Sequence, residues 1–302
     1  MGYSTGVCNS YSDIVTTLVN IVKNLGTGWE ELKDSSNYSV LHKDNMYVQV
    51  RTIYSGAGIL GRTSLNSGQP INLVGIGDFH ATDGAKLGPT QFPINYYCFT
   101  FTNPDEIYFI IKDRDRYQFI AFGKSNINFT TGTGLWTTGT MGLTSTIPIY
   151  ICLADSYFDS LGGVYYSSYS NIYNRVGPAP FWSYTYDGTT ARCYNNTWIN
   201  TDSGWIANTY GARPLGALFA SQPNEFNNQA LFLPITCTGG ANLTLTNARY
   251  VRNNFIDPEE IVYHGNEQWV VFPFFRKVNI YKTNLTNLDS SLTFGWAIKK
   301  ET

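Results

Sequence analysis

The chain has 302 residues, of which 16% are aromatic and only 14% are charged, and its formal net charge is −2. An average soluble domain is about 25% charged, so Tyr, Thr, Asn and Ser must cover much of this surface, and the charge balance excludes the basic footprint of a nucleic-acid-binding protein. The apolar runs have strand length, far below the roughly 18 residues of a membrane-spanning helix, and the first residues lack a secretory leader, so we expect a cytoplasmic product without nucleic-acid or membrane partners.

The first predicted element is a helix over residues 12–25. Its apolar residues recur at helical spacing and form one stripe. They are Ile14, Leu18, Ile21, Val22 and Leu25. Ser12 suits the N-cap, and Gly26 suits the position just after the helix, where glycine tolerates a left-handed backbone. Many residues of the segment are β-branched, so packing rather than intrinsic propensity has to hold this helix.

Period-two patterns, which are typical of strands, follow the helix. Residues 38–42 and 46–53 predict a hairpin that turns at 43–45. The second of these strands alternates apolar and polar side chains, which predicts one face toward a core. Further short strands are predicted at 73–76 and 96–102.

The strongest hairpin signal joins residues 106–112 to 117–122 through a charged turn at 113–116. Its density of Ile, Phe and Tyr predicts a central position in a sheet. After it the composition changes to Gly, Thr and Asn, and residues 123–146 are predicted to form a long surface loop or a linker.

Residues 147–230 hold short aromatic segments broken by Gly, Pro and Asn, where stable helices are not expected. The last part of the chain returns to strand patterns at 261–263, 268–272 and 293–298, with a turn at Gly265-Asn266 between the first two.

Together these patterns predict an α+β, mostly β fold, with one N-terminal helix followed by antiparallel hairpins and then a loop-rich β region. The length exceeds the roughly 250 residues at which a single core stops growing. We therefore expect an α+β domain at 1–125, a loop-rich aromatic β region at 126–255, and C-terminal strands at 256–302 that pack back on the first domain.

Two motifs match catalytic or cofactor-binding patterns, but the context of each argues against that use. Gly56-Ala57-Gly58-Ile59-Leu60-Gly61 has the Gly-x-Gly-x-x-Gly spacing of a dinucleotide site. No helical stripe follows it, so we interpret it as a glycine-rich loop between strands. Gly2-Tyr3-Ser4-Thr5-Gly6 matches Gly-x-Ser-x-Gly without a preceding strand to build a nucleophile elbow.

Other candidate chemistry is weaker still. His80 lies between Asp78 and Asp83, and the three could ligate a metal, although Asp and His are also ordinary loop residues. The acidic groups Asp257, Glu259, Glu260 and Glu30, Glu31 are predicted to lie in a turn or to point apart on a strand, not to face each other as glycosidase carboxylates do. The five cysteines are odd in number and widely spaced, so we expect buried free thiols. We predict no catalytic residues, no cofactor and no metal.

An aromatic-rich, charge-poor composition favours large protein–protein contacts, where aromatic residues are enriched and Lys and Glu are depleted. The densest aromatic segments are 101–122 and 269–275. We expect the anchors of such contacts there and at two isolated tryptophans. The candidates are Tyr108, Phe119, Trp136, Trp182, Trp269 and Phe274.

Several stretches together resemble a family of virion structural proteins from tailed bacteriophages. They are GWEEL at 28–32, VLHK at 40–43, YVQVR at 47–51, YYCF at 96–99, NPDEIYF at 103–109, YQFIAFGK at 117–124, GNEQWVVFP at 265–273 and FGWAIKK at 294–300. The resemblance covers most of residues 10–125 and 255–300. Residues 125–255 match no pattern of the family.

The resemblance implies a building block of the neck, collar or tail of the virion, made in the host cytoplasm, whose partners are copies of itself and other virion proteins. A helix followed by β-hairpins is also similar to the subunits of ring-forming tail-completion proteins, which implies a closed ring with head-to-tail interfaces. Two alternatives stay open: a baseplate or receptor-binding component that contacts a host glycan, and a carbohydrate-active enzyme with two carboxylates about 5–10 Å apart in a groove.

Overall fold

The computed structural model describes residues 2–53, 55–62, 64–66, 73–78, 89–124, 135–143, 148–151, 165–166, 175–176, 182–186, 191–193, 212–213, 232–237, 243–253, 255–277 and 294–300. These residues are mostly β, with one helix, α1 Tyr11–Asn24. Their strands are β1 Gly2–Cys8, β2 Glu30–Lys33, β3 Ser39–Lys43, β4 Met46–Thr52, β5 Gly56–Arg62, β6 Leu73–Gly77, β7 Ile94–Thr102, β8 Asp105–Asp113, β9 Arg116–Lys124, β10 Leu135–Gly139, β11 Met141–Leu143, β12 Pro148–Ile151, β13 Tyr165–Tyr166, β14 Arg175–Val176, β15 Trp182–Tyr186, β16 Ala191–Cys193, β17 Ala212–Arg213, β18 Leu233–Cys237, β19 Leu243–Arg252, β20 Ile261–His264, β21 Glu267–Pro273 and β22 Phe294–Lys300.

By their contacts the described residues divide into two compact units. Those within 1–114, 118–151 and 182–193 belong to the first unit, and those within 115–117, 152–181 and 194–302 belong to the second. The three-part domain division expected from the sequence stays a prediction.

The N-cap of the helix lies two residues earlier than the sequence suggested. Ser10, not Ser12, is the N-cap: its backbone is extended (φ −165°) and its side chain accepts a hydrogen bond from the Asp13 backbone N–H at 3.0 Å. The Asp13 carboxylate in turn accepts a hydrogen bond from the Asn9 backbone N–H at 2.8 Å. These two bonds cap the N-terminus of the helix. The expectation for Gly26 is confirmed, since it follows the helix with φ +67°.

Two seven-stranded antiparallel sheets form the first unit together with α1. The first sheet has the order β1-β7-β8-β9-β10-β15-β16, and the second has the order β12-β11-β6-β5-β4-β3-β2. Side chains from the helix and from both sheets share one apolar cluster, which includes Leu18 of α1, Val48 and Ile59 of the second sheet, and Phe109 and Phe122 of the first. Each such side chain stabilises the fold by about 1.5–3 kcal/mol relative to an exposed one.

The second unit contains a six-stranded antiparallel sheet with the order β17-β18-β19-β22-β21-β20, and the short pair β13-β14. The third sheet has its own apolar cluster, formed by Val251, Ile256, Trp269, Val271 and Ala297. The predicted turn at Gly265-Asn266 is confirmed, because β20 and β21 pair from Ile261↔Val270 to His264↔Glu267.

The predicted fold class is confirmed, and so are the main hairpins. β3 and β4 pair as expected from Ser39↔Val50 to Lys43↔Met46. β8 and β9 occupy the middle of the first sheet, as their apolar density predicted. Their turn is tighter than expected, because both strands extend into the charged segment and leave a two-residue loop in which Arg114 adopts φ +60°.

Two sequence interpretations are wrong, and one strand was not predicted. Within the segment interpreted as a surface loop, β10 lies between β9 and β15 and every one of its residues is buried. The Gly-x-Gly-x-x-Gly motif is not a loop but the fully buried strand β5. The Gly-x-Ser-x-Gly motif lies in β1, for which no strand was expected. Each segment is rich in Gly, Ser or Thr, whose small side chains suit close strand packing as well as loops.

Candidate assembly surface

The aromatic residues expected to anchor an interface lie inside the chain wherever their side chains are described. Five of the six expose 2% or less of their surface: Tyr108, Phe119, Trp136, Trp269 and Phe274. The sixth, Trp182, has its backbone in β15, and its side chain lies outside the described part. An interface role for these residues stays a prediction, and a surface that partners can reach must be sought among exposed residues.

The buried aromatics build the cores of the two units. In the first unit the Tyr108 hydroxyl donates to Glu106 Oε2 at 2.9 Å, and the Tyr108 ring lies 6.2 Å from that of Trp136. In the second unit the Trp269 ring lies 5.3 Å from Phe232 and carries the Arg249 guanidinium 5.4 Å from its centroid. The aromatic-rich strands are therefore strands that are covered on both faces. The continuous apolar run of β8 is also typical of such strands.

An exposed edge strand, β1, closes one end of the first sheet. It pairs along its full length with β7, from Gly2↔Thr100 to Cys8↔Ile94. Among the described residues no strand pairs with its other edge. An edge of this kind presents unpaired backbone N–H and C=O groups and can accept a further strand.

The two faces of β1 differ. Tyr3, Thr5 and Val7 are exposed, Tyr3 at 38% and Val7 at 51%. The alternate residues lie against the rest of the first unit: the Cys8 thiol contacts the hydroxyl of Thr17 on α1 at 3.7 Å. The exposed face thus carries one aromatic, one hydroxyl and one β-branched side chain at every second position.

The glycines of β1 allow neighbouring side chains to pack closely against it. A Cβ at Gly2 would lie 2.7 Å from Leu25 Cδ1, and a Cβ at Gly6 would lie 2.8 Å from the Tyr96 ring. Ser4, between them, forms a hydrogen bond with the Tyr96 hydroxyl at 3.3 Å. The Gly-x-Ser-x-Gly spacing therefore serves the approach of β1 to its neighbours, and its serine is engaged in that contact.

The edge of the second sheet, β2, is built very differently. Glu31 accepts hydrogen bonds from Lys23 Nζ at 2.8 Å and from Lys33 Nζ at 2.7 Å, and the Lys23 and Lys33 ammonium groups lower its pKa to about 2. Glu30 pairs with His42 Nδ1 at 2.7 Å. Charged side chains along an edge oppose pairing with another strand, so β2 is protected where β1 is not.

A second exposed apolar patch lies at the edge strand β20 of the second unit. Ile261 and Tyr263 are 39% and 68% exposed on one face of that strand, while Val262 packs on the third sheet's apolar cluster from the other. Phe255, which precedes this strand, is 58% exposed. β20 has four residues against seven in β1 and so offers a shorter edge.

The three residues weighed as metal ligands, Asp78, His80 and Asp83, are only partly described. Asp78 Oδ1 accepts hydrogen bonds from the Tyr11 hydroxyl at 2.6 Å and from the Thr90 backbone N–H at 2.7 Å. Burial raises the pKa of Tyr11, and the bond to Asp78 raises it further. His80 and Asp83 lie outside the described residues. Within the residues that are described, no three His, Cys, Asp or Glu side chains are grouped to hold a metal ion.

The acidic clusters are engaged in local structure. The predicted turn at 257–260 is confirmed: the Glu260 backbone N–H donates to the Asp257 carbonyl at 3.1 Å, and Glu260 Oε2 accepts from the Asp257 backbone N–H at 2.7 Å. Glu259 accepts a hydrogen bond from the Tyr117 hydroxyl within the second unit. These contacts are structural, and the lack of catalytic activity stays a prediction.

The structure describes two of the five cysteine side chains, Cys8 and Cys98. Both are free and buried, as expected. Burial raises the pKa of Cys8 to about 11 and also raises that of Cys98, so both stay protonated at neutral pH and are poor nucleophiles. The other three side chains lie outside the described part.

Neither a protein-family model nor a curated protein matches this sequence. Among the described helical residues, none forms a span long and apolar enough to cross a membrane.

Proposed function

We propose that the chain is a structural subunit of a tailed-phage virion, in the neck, collar or tail, and that its copies assemble into a symmetric homo-oligomer. The observation that carries this proposal is where the family-like stretches fall. VLHK lies in β3, YVQVR in β4, YYCF in β7, YQFIAFGK in β9 and FGWAIKK in β22. The resemblance therefore concerns the β framework of both units, and not a loop or a single motif.

The exposed surface supports an assembly role. Large side chains such as Val7, Phe255 and Tyr263 are more than half exposed, at 51%, 58% and 68%. Two of them, Val7 and Tyr263, lie on edge strands. Exposed aromatic and aliphatic residues beside open backbone hydrogen-bonding groups are suited to contacts between subunits.

Three carboxylates that were weighed for catalysis or metal binding support the same reading over the enzymatic alternative. Glu31 is held by two lysines, Asp78 by a tyrosine and a backbone N–H, and Glu260 by the turn that it closes. A glycosidase needs two carboxyl groups facing a substrate across a groove. Carboxylates committed to turns and strand edges serve the fold.

Location and symmetry test this function together. Virions of a phage that encodes the chain would be labelled with an antibody raised against the purified protein and imaged by negative-stain electron microscopy. We expect label at the neck, collar or tail, and a purified protein whose class averages show a symmetric homo-oligomer.

Each other outcome contradicts part of the proposal. Virions without label would overturn the structural role. A trimer at the tip of the tail that binds polysaccharide would favour the receptor-binding alternative, and a monomer that cleaves polysaccharide would favour the enzyme.

A further inference from the structure

We propose that β1 pairs with β1 of a second copy across a two-fold axis at Thr5, so that two first sheets join into one continuous antiparallel sheet. This inference rests on the proposed function, because that function requires copies of the chain to contact one another. It names the surface by which two of them do so.

The first argument is the outer edge of β1, with which no described strand pairs. All seven residues of β1 are in register with β7, so its backbone is already held extended. At about 3.4 Å per residue a strand of this length offers roughly 24 Å of edge. Joining a preformed strand costs less chain entropy than ordering a loop. A partner strand gains backbone hydrogen bonds along that whole length.

The second argument is charge. The sequence of β1, GYSTGVC, has no ionisable side chain other than Tyr3 and the buried Cys8. Two copies can therefore approach without bringing like charges together. By contrast, β2 has the sequence EELK, and two copies of it would meet as charged edges. In the first unit, charge therefore opposes strand pairing at β2 and does not oppose it at β1.

The third argument is that the exposed pattern of β1 is complementary to itself. Tyr3, Thr5 and Val7 occupy alternate positions on one face, with Thr5 in the middle. An antiparallel pair centred on Thr5 places Tyr3 opposite Val7 of the second copy, twice, and Thr5 opposite Thr5. Aromatic–β-branched pairs and Thr–Thr pairs are both favourable across antiparallel strands. A second copy is therefore the partner that this edge fits.

A charge-swap experiment tests the two-fold pairing. Thr5→Lys and Thr5→Glu each place two like charges directly opposite at the axis, which is destabilising. Mixing the two variants places Lys opposite Glu. The matched controls are Thr52→Lys and Thr52→Glu, at an exposed threonine on β4 in the same unit. Masses would be measured by light scattering and mass photometry over a dilution series, and folding by thermal unfolding.

We expect each Thr5 variant to keep its melting temperature, to halve the assembled mass, and to raise the dissociation constant of the contact by about tenfold or more. We expect the mixture of the two to recover the wild-type mass, and both Thr52 variants to behave as wild type.

Three results would overturn the inference. Thr5 variants that keep the wild-type mass exclude β1 as the contact and leave the proposed function standing, since copies still assemble. Variants that dissociate but are not rescued by mixing exclude the two-fold geometry. A wild-type chain that stays monomeric at every concentration excludes the contact, while antibody labelling of virions decides the proposed function separately.

Discussion

A buried ion pair in the first unit gives the sharpest stability prediction. The Asp34 side chain is 2% exposed, and its Oδ2 lies 2.9 Å from Nη1 of Arg62, whose side chain is 5% exposed. The same oxygen accepts from Gln49 Nε2 at 2.6 Å, and Oδ1 accepts from the backbone N–H groups of Ser36 and Tyr38, both at 2.9 Å. Burial by itself would raise the pKa of Asp34, but these donors and Arg62 together lower it.

The perturbation is Asp34→Ala. It leaves Arg62 buried without its carboxylate, and removing one partner of a buried pair costs about 3–5 kcal/mol. Because Arg62 Nη1 also donates to the Leu65 carbonyl at 2.7 Å, we expect the lower end, about 3 kcal/mol. For a unit of this size each kcal/mol lowers the melting temperature by about 2–4 °C, so the expected drop is roughly 6–12 °C.

Differential scanning calorimetry of the full chain measures this drop. The matched control is Ser35→Ala, whose exposed side chain is adjacent in sequence and whose backbone N–H, not its hydroxyl, donates to Asn66. Asp34→Asn keeps an acceptor for the backbone donors and should fall between the two. An Asp34→Ala transition within about 2 °C of the Ser35→Ala transition would refute the reasoning, because less than about 1 kcal/mol would then depend on the pair.

Two further changes test the packing and the charged edge. A Cβ at Gly123 would overlap the carbonyl oxygen of Asp105 and approach the Cα of Glu106 to 2.9 Å. Gly123→Ala should therefore lower the free energy of unfolding, measured by urea titration, by about 1–3 kcal/mol. An unchanged urea midpoint would contradict this close approach. Glu31→Gln should cost about 0.2–1 kcal/mol at pH 7, since the pair is partly exposed and screened. The pKa of Glu31 is lowered to about 2 in the folded chain, below its unfolded value of about 4.3. The stability contributed by the ionised Glu31 is therefore complete above about pH 4.3 and is lost as the pH falls toward 2. A stability difference between wild type and Glu31→Gln that grows on acidification would exclude this role of the lysine pairs.

The sequence predicts those elements of the fold whose apolar residues form a clear pattern. β3, β4, β8 and β9 carry strong alternating or continuous apolar patterns, and all four were predicted close to their observed positions. The helix was also predicted, but its cap was misplaced, because Ser10 and Ser12 are both capable N-caps. The extended backbone of Ser10 and its hydrogen bond from the Asp13 backbone N–H identify it as the cap.

The strands that sequence patterns missed are rich in glycine or threonine. β5 has the sequence GAGILGR, and Gly56 approaches so closely that an added Cβ would lie 2.7 Å from the Ile76 carbonyl oxygen. β10 has the sequence LWTTG, whose threonines suggest a surface loop although they form good strands between two neighbours. Small residues are needed where backbones approach, and the same residues are common in loops.

The candidate assembly surface was even less accessible to sequence reasoning. Aromatic density located the cores, in which Tyr108 and Trp269 are 0% and 2% exposed. Nothing in GYSTGVC signals an edge, because whether a strand has one neighbour or two is decided by sheet topology. Only the order of the first sheet shows that Tyr3, Thr5 and Val7 lie on a strand for which, in the described part of the chain, β7 is the one pairing partner.

A cryo-electron microscopy map of the intact virion, with this chain located in it, tests the central claim most directly. We predict many symmetry-related copies in the neck, collar or tail, with β1 of one copy antiparallel to β1 of another and the two Thr5 residues opposite each other. A virion whose map has no density for the chain, or one in which β1 of every copy faces only solvent, would contradict this account.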